Sequence, residues 1–194
     1  MKIQLPPRNS DGSYTFVAGM AVDADGSPRA YGPPGTKPLD NLANAGQPGN
    51  WWGIVTDTGT PEGEPVVQKQ GDPFPGYYVS STSYRHEGFP QRDPRAWVDS
   101  ENVIFIVLPS HWRKEAKGVV LGCLAKIRDK KTGNACNGVV ADFGPVGKLG
   151  EASIAAAKFF GLDPSPKHGG TSEKRFEYTF HPGIAAAGFK LKPM

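Results

Sequence analysis

Cysteine is scarce in this chain, with only Cys123 and Cys136 among 194 residues. Both fall in a predicted β-hairpin that turns near residues 131–133. In that register Cys123 faces a position near 140 and Cys136 faces one near 127, so the two thiols do not lie opposite each other. We therefore expect free thiols and a fold that does not depend on oxidation.

Long apolar runs are also missing. No stretch reaches the roughly 20 residues that a membrane-spanning helix needs, so no membrane association is expected. The opening residues, MKIQLPPR, lack the apolar core of a secretory signal. Three alternatives stay open: the protein remains inside the cell, leaves without a cleaved signal, or is made with a signal that this chain does not include.

Several functional motifs are absent as well. The four histidines do not have metal-ligand spacing with each other or with the cysteines, so no metal or other cofactor is expected. No Ser or Cys sits in a nucleophile elbow. The loop from Gly144 to Leu149 has too few residues between its glycines for a phosphate-binding loop. The net charge of +3 is mild, and basic and aromatic residues are segregated, which disfavours nucleic acid as a partner.

What the sequence does contain is Gly and Pro, 25 and 19 residues respectively. That composition favours many turns and short strands over a helical bundle. We predict a single domain over residues 1–194, with residues 1–13 as a polar lead-in. We predict a mainly β fold class, a small barrel with one main helix and long irregular loops. The predicted strands are 14–22, 51–55, 66–69, 77–84, 103–108, 119–128, 135–142 and 175–180.

One stretch, residues 139–161, concentrates the candidate chemistry. Val139 to Ala141 form an apolar strand that ends at Asp142, and a glycine-rich loop then leads to Glu151. We predict a helix over 151–160 with Glu151 at its first position. A half-buried Asp142 would suit a general acid. Glu151 would be held as an anion by the helix dipole, which suits a base. Such a pair of carboxyls is what glycoside hydrolysis needs.

Each carboxylate also has a structural explanation. Asp142 could cap the loop that follows it. Glutamate is common in first helical turns without any function.

Aromatic and acidic residues cluster in the first hundred positions. Flat rings with acids at the rim are how a groove for cationic sugars would be lined, although at least half of the rings should be core. Neighbouring residues of a strand face opposite sides, so at most one of the two adjacent tryptophans can line the groove. The candidate substrate-binding residues are Trp51, Trp52, Tyr77, Tyr78, Asp57 and Asp72.

Six segments together resemble one known family. They are DGSPRAYGP (25–33), LDNLANAGQPGNWWGIVTD (39–57), GDPFPGYYVSSTSY (71–84), DPRAWVDSENVIFIVLP (93–109), GVVLGCLAKI (118–127) and VVADFGPVGKLGEASIAAAKFFGL (139–162). In these segments the sequence resembles the fungal and bacterial chitosanases of glycoside hydrolase family 75. The resemblance implies an inverting endo-hydrolase of β-1,4-linked glucosamine polymers with two essential carboxylates, which fall on Asp142 and Glu151. Asp57 is the reserve candidate for the base. The strand–Asp–x–Gly pattern is also similar to that of double-psi β-barrel glycan-cleaving enzymes, which implies a six-stranded double-psi-like barrel with Asp142 as the acid.

Three functions follow as expectations. The first is a monomeric, extracellular hydrolase whose partner is a polysaccharide, chitosan. The second is a peptidoglycan hydrolase delivered into a rival's periplasm, which would have an immunity or inhibitor protein; its positive net charge suits a glycan with carboxylates. The third is a carbohydrate-binding module without catalysis.

Overall fold

The computed structural model describes residues 1–193, and a closed barrel of six strands forms its centre. Strands β2 (Gly46–Gln47) and β3 (Asn50–Trp51) form a separate two-stranded sheet. The barrel strands are β1 (Tyr14–Asp23), β4 (Phe105–Pro109), β5 (Cys123–Asp129), β6 (Ala135–Gly144), β7 (Glu151–Ser153) and β8 (Thr171–Ala185). Around the barrel their order is β1-β7-β4-β6-β5-β8. The prediction of a mainly β fold built on a small six-stranded barrel is confirmed.

Alternation along the strands fills the barrel. In β1 every second side chain from Tyr14 to Val22 is buried, and these side chains belong to one continuous core. The aromatic residues of the neighbouring strand β8 pack beside them, and Phe16 is paired with Tyr178 and stacked on it at a centroid distance of 5.0 Å. Strand β1 bulges between Ala18 and Met20, at the glycine where the sequence indicates a kink.

The predicted hairpin is confirmed. Strands β5 and β6 pair in antiparallel register, with Ile127 opposite Cys136. Cys123 and Cys136 are both free, as expected. Arg175 of β8 lies beside the buried Asp129 at the turn, with 3.3 Å between Nε and Oδ1, and so links the β5–β6 turn to β8.

Residues 24–104, which we call the loop region, cover one face of the barrel. The predicted strands 51–55, 66–69 and 77–84 are wrong as continuous strands. Apart from β3, they reduce to isolated bridges such as Ile54 with Ser80 and Val67 with Tyr78. Their side chains still bury a small core of their own, because Val55, Val79 and Trp97 pack together.

Two short helices accompany the strands within residues 1–193, namely α1 (Trp112–Glu115) and α2 (Ile154–Phe159). The sequence predicts a helix over 151–160, and that start is wrong by three residues. Glu151 instead opens strand β7, and the side chain of Ser153 caps α2 by accepting from the Ala156 amide at 3.2 Å. The helix-dipole argument for Glu151 therefore does not hold.

The predicted lead-in packs against the barrel. Ile3 and Leu5 contact the core, and the Trp112 indole donates to the Ile3 carbonyl at 3.1 Å. Within residues 1–193, no helix has the length and apolar character needed to cross a membrane.

Candidate active site

Asp142 and Glu151 lie in one row across neighbouring strands. Val107 of β4 pairs with Glu151 of β7 on one side and with Asp142 of β6 on the other. Residues paired directly across a sheet point to the same face, and neighbouring strands are about 4.8 Å apart. The Cα atoms of the two acids are thus separated by roughly 10 Å, with both side chains on the outer face of the barrel.

A β-bulge turns Asp142 to that outer face. Val140 pairs with Ile106, whose side chain is in the barrel core, but the next pair is Val107 with Asp142, so Ala141 is an extra residue. Without it, strict alternation would direct Asp142 into the apolar interior. Bulges of this kind commonly re-aim a side chain beside a functional site.

Three hydrogen bonds converge on one oxygen of Asp142. Its Oδ1 accepts from the Ser83 amide at 2.9 Å, from the Ser83 hydroxyl at 2.5 Å and from the Phe143 amide at 2.7 Å. These donors fix the rotamer and favour the anion. They leave Oδ2 as the oxygen that can carry and donate a proton.

Burial works in the opposite direction and is the stronger effect. Asp142 is only 7 % exposed. Loss of solvation raises the pKa of its carboxyl to about 6. The hydrogen bonds from Ser83 and Phe143 lower this pKa, and the charge of Glu151 raises it further. The group therefore titrates in the range that a general acid needs.

Glu151 has a different environment. Its side chain is 14 % exposed, and Oε1 lies 2.5 Å from Lys148 Nζ. Gly144 leaves room for it, because a Cβ there would lie 3.3 Å from Glu151 Oε2. Gly150 is required just before it, since its φ of 78° is left-handed and a Cβ would lie 2.5 Å from the Ala18 Cβ.

Two further carboxylates, those of Asp23 and Asp25, belong to this site, although the sequence analysis assigns neither of them to it. Asp23 ends β1, and Asp25 accepts from the Tyr31 hydroxyl at 2.7 Å. One oxygen each of Asp23, Asp25 and Asp142 lie within 4.8 Å of one another. Burial, together with the neighbouring carboxylates, raises the pKa of both Asp23 and Asp25 well above the ordinary value.

The signal for Asp23 was present in the sequence. Met20 to Val22 run apolar into Asp23, the same pattern that marks Asp142, but the segment DADG reads as a turn. Ser83, Lys148 and Tyr31 carry no comparable signal, because their roles depend on contacts between distant parts of the chain.

These groups line a cavity of about 650 Å³. Among the described residues, its lining contains five acids and a single base, Lys148, which is paired with Glu151. The acids are Asp23, Asp25, Asp40, Asp142 and Glu151. The cavity is therefore strongly acidic although the whole chain carries a net charge of +3.

The two predicted tryptophans have different surroundings, and of the two Trp51 alone lies in a strand. Trp52 lines the cavity and is 61 % exposed, with its indole nitrogen donating to the Asn44 carbonyl at 2.8 Å. Trp51 is buried in the barrel core. Only Trp52 is thus placed to stack on a sugar.

The other predicted substrate-binding residues lie outside the lining of this cavity. Asp57 accepts from the Glu64 amide and Asp72 from the Lys69 amide, so both stabilise turns of the loop region. Tyr77 contacts Phe74 edge-on, and Tyr78 packs against the barrel core. The predicted substrate-binding residues lie close together in the sequence but do not line one groove. Contacts within the loops, rather than a shared strand face, orient their side chains.

Within residues 1–193, Asp23, Asp25 and Asp142 form a group whose carboxylate oxygens lie close enough together to hold a cation. An all-oxygen donor set suits Mg²⁺ or Ca²⁺. The same spacing suits carboxylates that share protons, which is the state that their raised pKa values describe.

Comparison of the sequence with models of known protein families and with curated proteins finds no match. The resemblance to family 75 chitosanases therefore stays a hypothesis. The function has to be argued from the geometry and chemistry of the cavity itself.

Proposed function

We propose that this protein is a glycoside hydrolase that cleaves β-1,4 bonds of amino-sugar polymers with inversion at the anomeric carbon. The observation that carries the proposal is the row Glu151–Val107–Asp142, which puts two carboxylates of unlike environment on one face of one cavity. A separation of about 10 Å between the Cα atoms is compatible with two carboxyls that flank a bound sugar. Inverting enzymes need roughly 6.5–9.5 Å between the carboxyl groups, and retaining enzymes only about 5–5.5 Å.

Asp142 is the general acid in this mechanism. Its Oδ1 is held by Ser83 and Phe143, so the proton resides on Oδ2. As the bond between the anomeric carbon and the glycosidic oxygen breaks, the proton moves from Oδ2 to that oxygen. The pKa of about 6 keeps Asp142 protonated at mildly acidic pH, so activity should decline as the pH rises through that value.

Glu151 is the general base. Its Oε1 lies 2.5 Å from Lys148 Nζ, which fixes the position of the carboxyl group in the cavity. On the face of the sugar opposite to Asp142, Glu151 accepts a proton from water while the water oxygen bonds to the anomeric carbon. Asp57, the reserve candidate, is outside the cavity lining and is engaged with the Glu64 amide.

The charge of the cavity supports a substrate with free amino groups. Within residues 1–193, no ion pair gives Asp23 or Asp25 a counter-charge, and burial together with the neighbouring carboxylates raises the pKa of both. An ammonium group of glucosamine would supply that charge, and Trp52 would stack on a sugar face. The local potential at the cavity, rather than the net charge, governs recognition, which favours chitosan as a substrate.

Asp142→Asn and Glu151→Gln test the proposal directly. Both substitutions keep the size of the side chain, and on chitosan oligosaccharides each should lower kcat by about a thousandfold or more. Asp57→Asn is the matched control, because it removes an exposed carboxylate outside the cavity. Near-normal turnover by either cavity variant, with an unchanged melting curve, would show that the assignment is wrong.

The same variants separate catalysis from mere binding. A carbohydrate-binding module would show sugar binding without turnover in the native protein. Its binding would also be insensitive to Asp142→Asn. Titration with chitosan oligosaccharides alongside the turnover assay distinguishes the two functions.

A further inference from the structure

A second cavity, of about 500 Å³, lies beside the acidic one and has the opposite charge. Ser83 belongs to its lining, and the same residue donates two hydrogen bonds to Asp142 in the acidic cavity. Among the described residues, four of the seven that line it are basic and none is acidic. The basic residues are Arg85, Arg113, Lys114 and Lys192.

Three of these four cations have no acidic partner among the residues that the structure describes. Lys192 is paired with Glu87, with 2.5 Å between Nζ and Oε1. Within residues 1–193, no ion pair is described for Arg85, Arg113 or Lys114. All three side chains are exposed, and a negatively charged ligand in this cavity would relieve the repulsion between their like charges.

The backbone around the cavity is held in place. Arg113 and Lys114 lie on α1, which the fully buried Trp112 anchors in the barrel core. Arg85 forms a bridge with Trp97, and the Lys192 amide donates to the Leu121 carbonyl at 3.0 Å. Guanidinium groups on a fixed backbone suit carboxylate, which they can bind through two parallel hydrogen bonds.

We propose that this basic cavity binds a carboxylate carried by the glycan substrate. The inference rests on the proposed function and narrows the substrate class. The polymer would present a free amino group to the acidic cavity and a carboxylate to the basic cavity on the other side of Ser83. Peptidoglycan with free amino groups has that chemistry, and chitosan has only the amino group.

Two polymers that differ only in carboxylates test this. Chitosan and O-carboxymethyl-chitosan share a backbone and free amines. Native protein should turn over the carboxymethylated polymer with the higher kcat/KM. Arg113→Gln combined with Lys114→Gln should lower that value by about tenfold or more and change the value for chitosan by no more than about threefold.

Lys130→Gln combined with Lys131→Gln is the matched control, because it removes two exposed charges at the β5–β6 turn, outside the cavity lining. This variant should change both values by no more than about threefold. Equal losses in the two double variants, or equal losses on the two polymers, would overturn the proposal.

Two further arms separate the ways of failing. If native protein cleaves neither polymer, the proposed hydrolase function fails. The affinity of the Asp142→Asn protein for the two polymers then tests the basic cavity by itself. Tighter binding of the carboxymethylated polymer that is lost when Arg113 and Lys114 are replaced supports the proposal. Equal affinity for the two polymers overturns it.

Inorganic phosphate alone is the probe for a free anion. Phosphate binding that needs Arg113 and Lys114, without any preference for the carboxymethylated polymer, would make this a site for free anions and overturn the substrate assignment.

Discussion

The barrel face and the loop region that covers it both contribute predicted site residues, but with different outcomes. Asp142 and Glu151 lie on the two strands that flank β4, and strand register brings them to one face beside Val107. Of the loop residues predicted to bind substrate, Trp52 alone joins the cavity lining. A strand places side chains by a rule that sequence reveals, whereas a loop places each one through its own tertiary contacts.

The difference between the barrel face and the loop region is clearest for their carboxylates. Asp23→Asn changes a strand-end acid of the cavity but keeps the oxygen that accepts from the Asp25 amide at 2.8 Å. We expect about tenfold weaker binding of chitosan oligosaccharides, because one partner for the ammonium groups is lost. Calorimetry in two buffers of different ionisation enthalpy should also show less proton release on binding, because an ammonium group lowers the raised pKa of Asp23.

Asp72→Asn is the loop counterpart of that experiment. Asp72 accepts from the Lys69 amide in an exposed turn. Binding and proton release should match those of the native protein. If Asp72→Asn weakened binding as much as Asp23→Asn does, the distinction between the two regions would fail.

A second prediction concerns stability rather than activity. The pKa of Asp142 is raised from 3.8 to about 6, so the folded state holds this proton more tightly than the unfolded state does. That stabilisation is fully present below about pH 4 and is lost as the pH rises through about 6. Asp142→Asn should therefore raise the free energy of unfolding at pH 7 by on the order of 1–3 kcal/mol, with the gain shrinking toward pH 4.

Denaturant unfolding at pH 4, 5.5 and 7 measures this difference between native protein and variant. A variant that is less stable than the native protein at pH 7 would mean that Asp142 serves as a structural cap. The proposed acid would then lose its physical basis.

Trp52 and Tyr77 allow the same comparison for aromatic residues. Trp52→Ala should raise KM for chitosan about fivefold with little change in kcat, because a stacking surface is lost while the carboxylates stay in place. Tyr77→Ala, in the loop region outside the cavity lining, should leave both constants near their native values. Steady-state kinetics on oligosaccharides of one length decide it.

The sequence predicts the structure correctly where a short local pattern of residues determines the position of a side chain. The apolar run into Asp142 identifies a strand end, and the same pattern before Asp23 would have identified that residue had DADG not been interpreted only as a turn. Glu151 is a candidate from its position near Asp142, yet its predicted helical setting is wrong. The pairing of β7 with two distant strands keeps residues 151–153 extended, and the helix begins only after them.

Other features depend on the whole fold. The bulge at Ala141 exists only because of how β6 pairs with β4, so residue alternation alone would aim Asp142 inward. Ser83 comes from the loop region, 59 residues before its partner Asp142. The opposite charges of the two cavities cannot be seen in a net charge of +3.

The smallest expected effect concerns Ser83. Its hydroxyl donates to Asp142 Oδ1 and lowers the pKa of that carboxyl. Ser83→Ala keeps the amide donor, so the falling limb of the pH–rate profile should move upward by about half a unit. A shift to lower pH, or none, would show that Asp142 does not set that limb.

The central claim is that Asp142 and Glu151 hydrolyse a glycosidic bond from opposite sides of the sugar. Proton NMR of the first products released from a chitosan oligosaccharide at pH 5.5 tests it most directly. The account predicts that native protein releases the α-anomer first and that Asp142→Asn and Glu151→Gln release none at a measurable rate. Initial release of the β-anomer, or equal product from native protein and either variant, would contradict it.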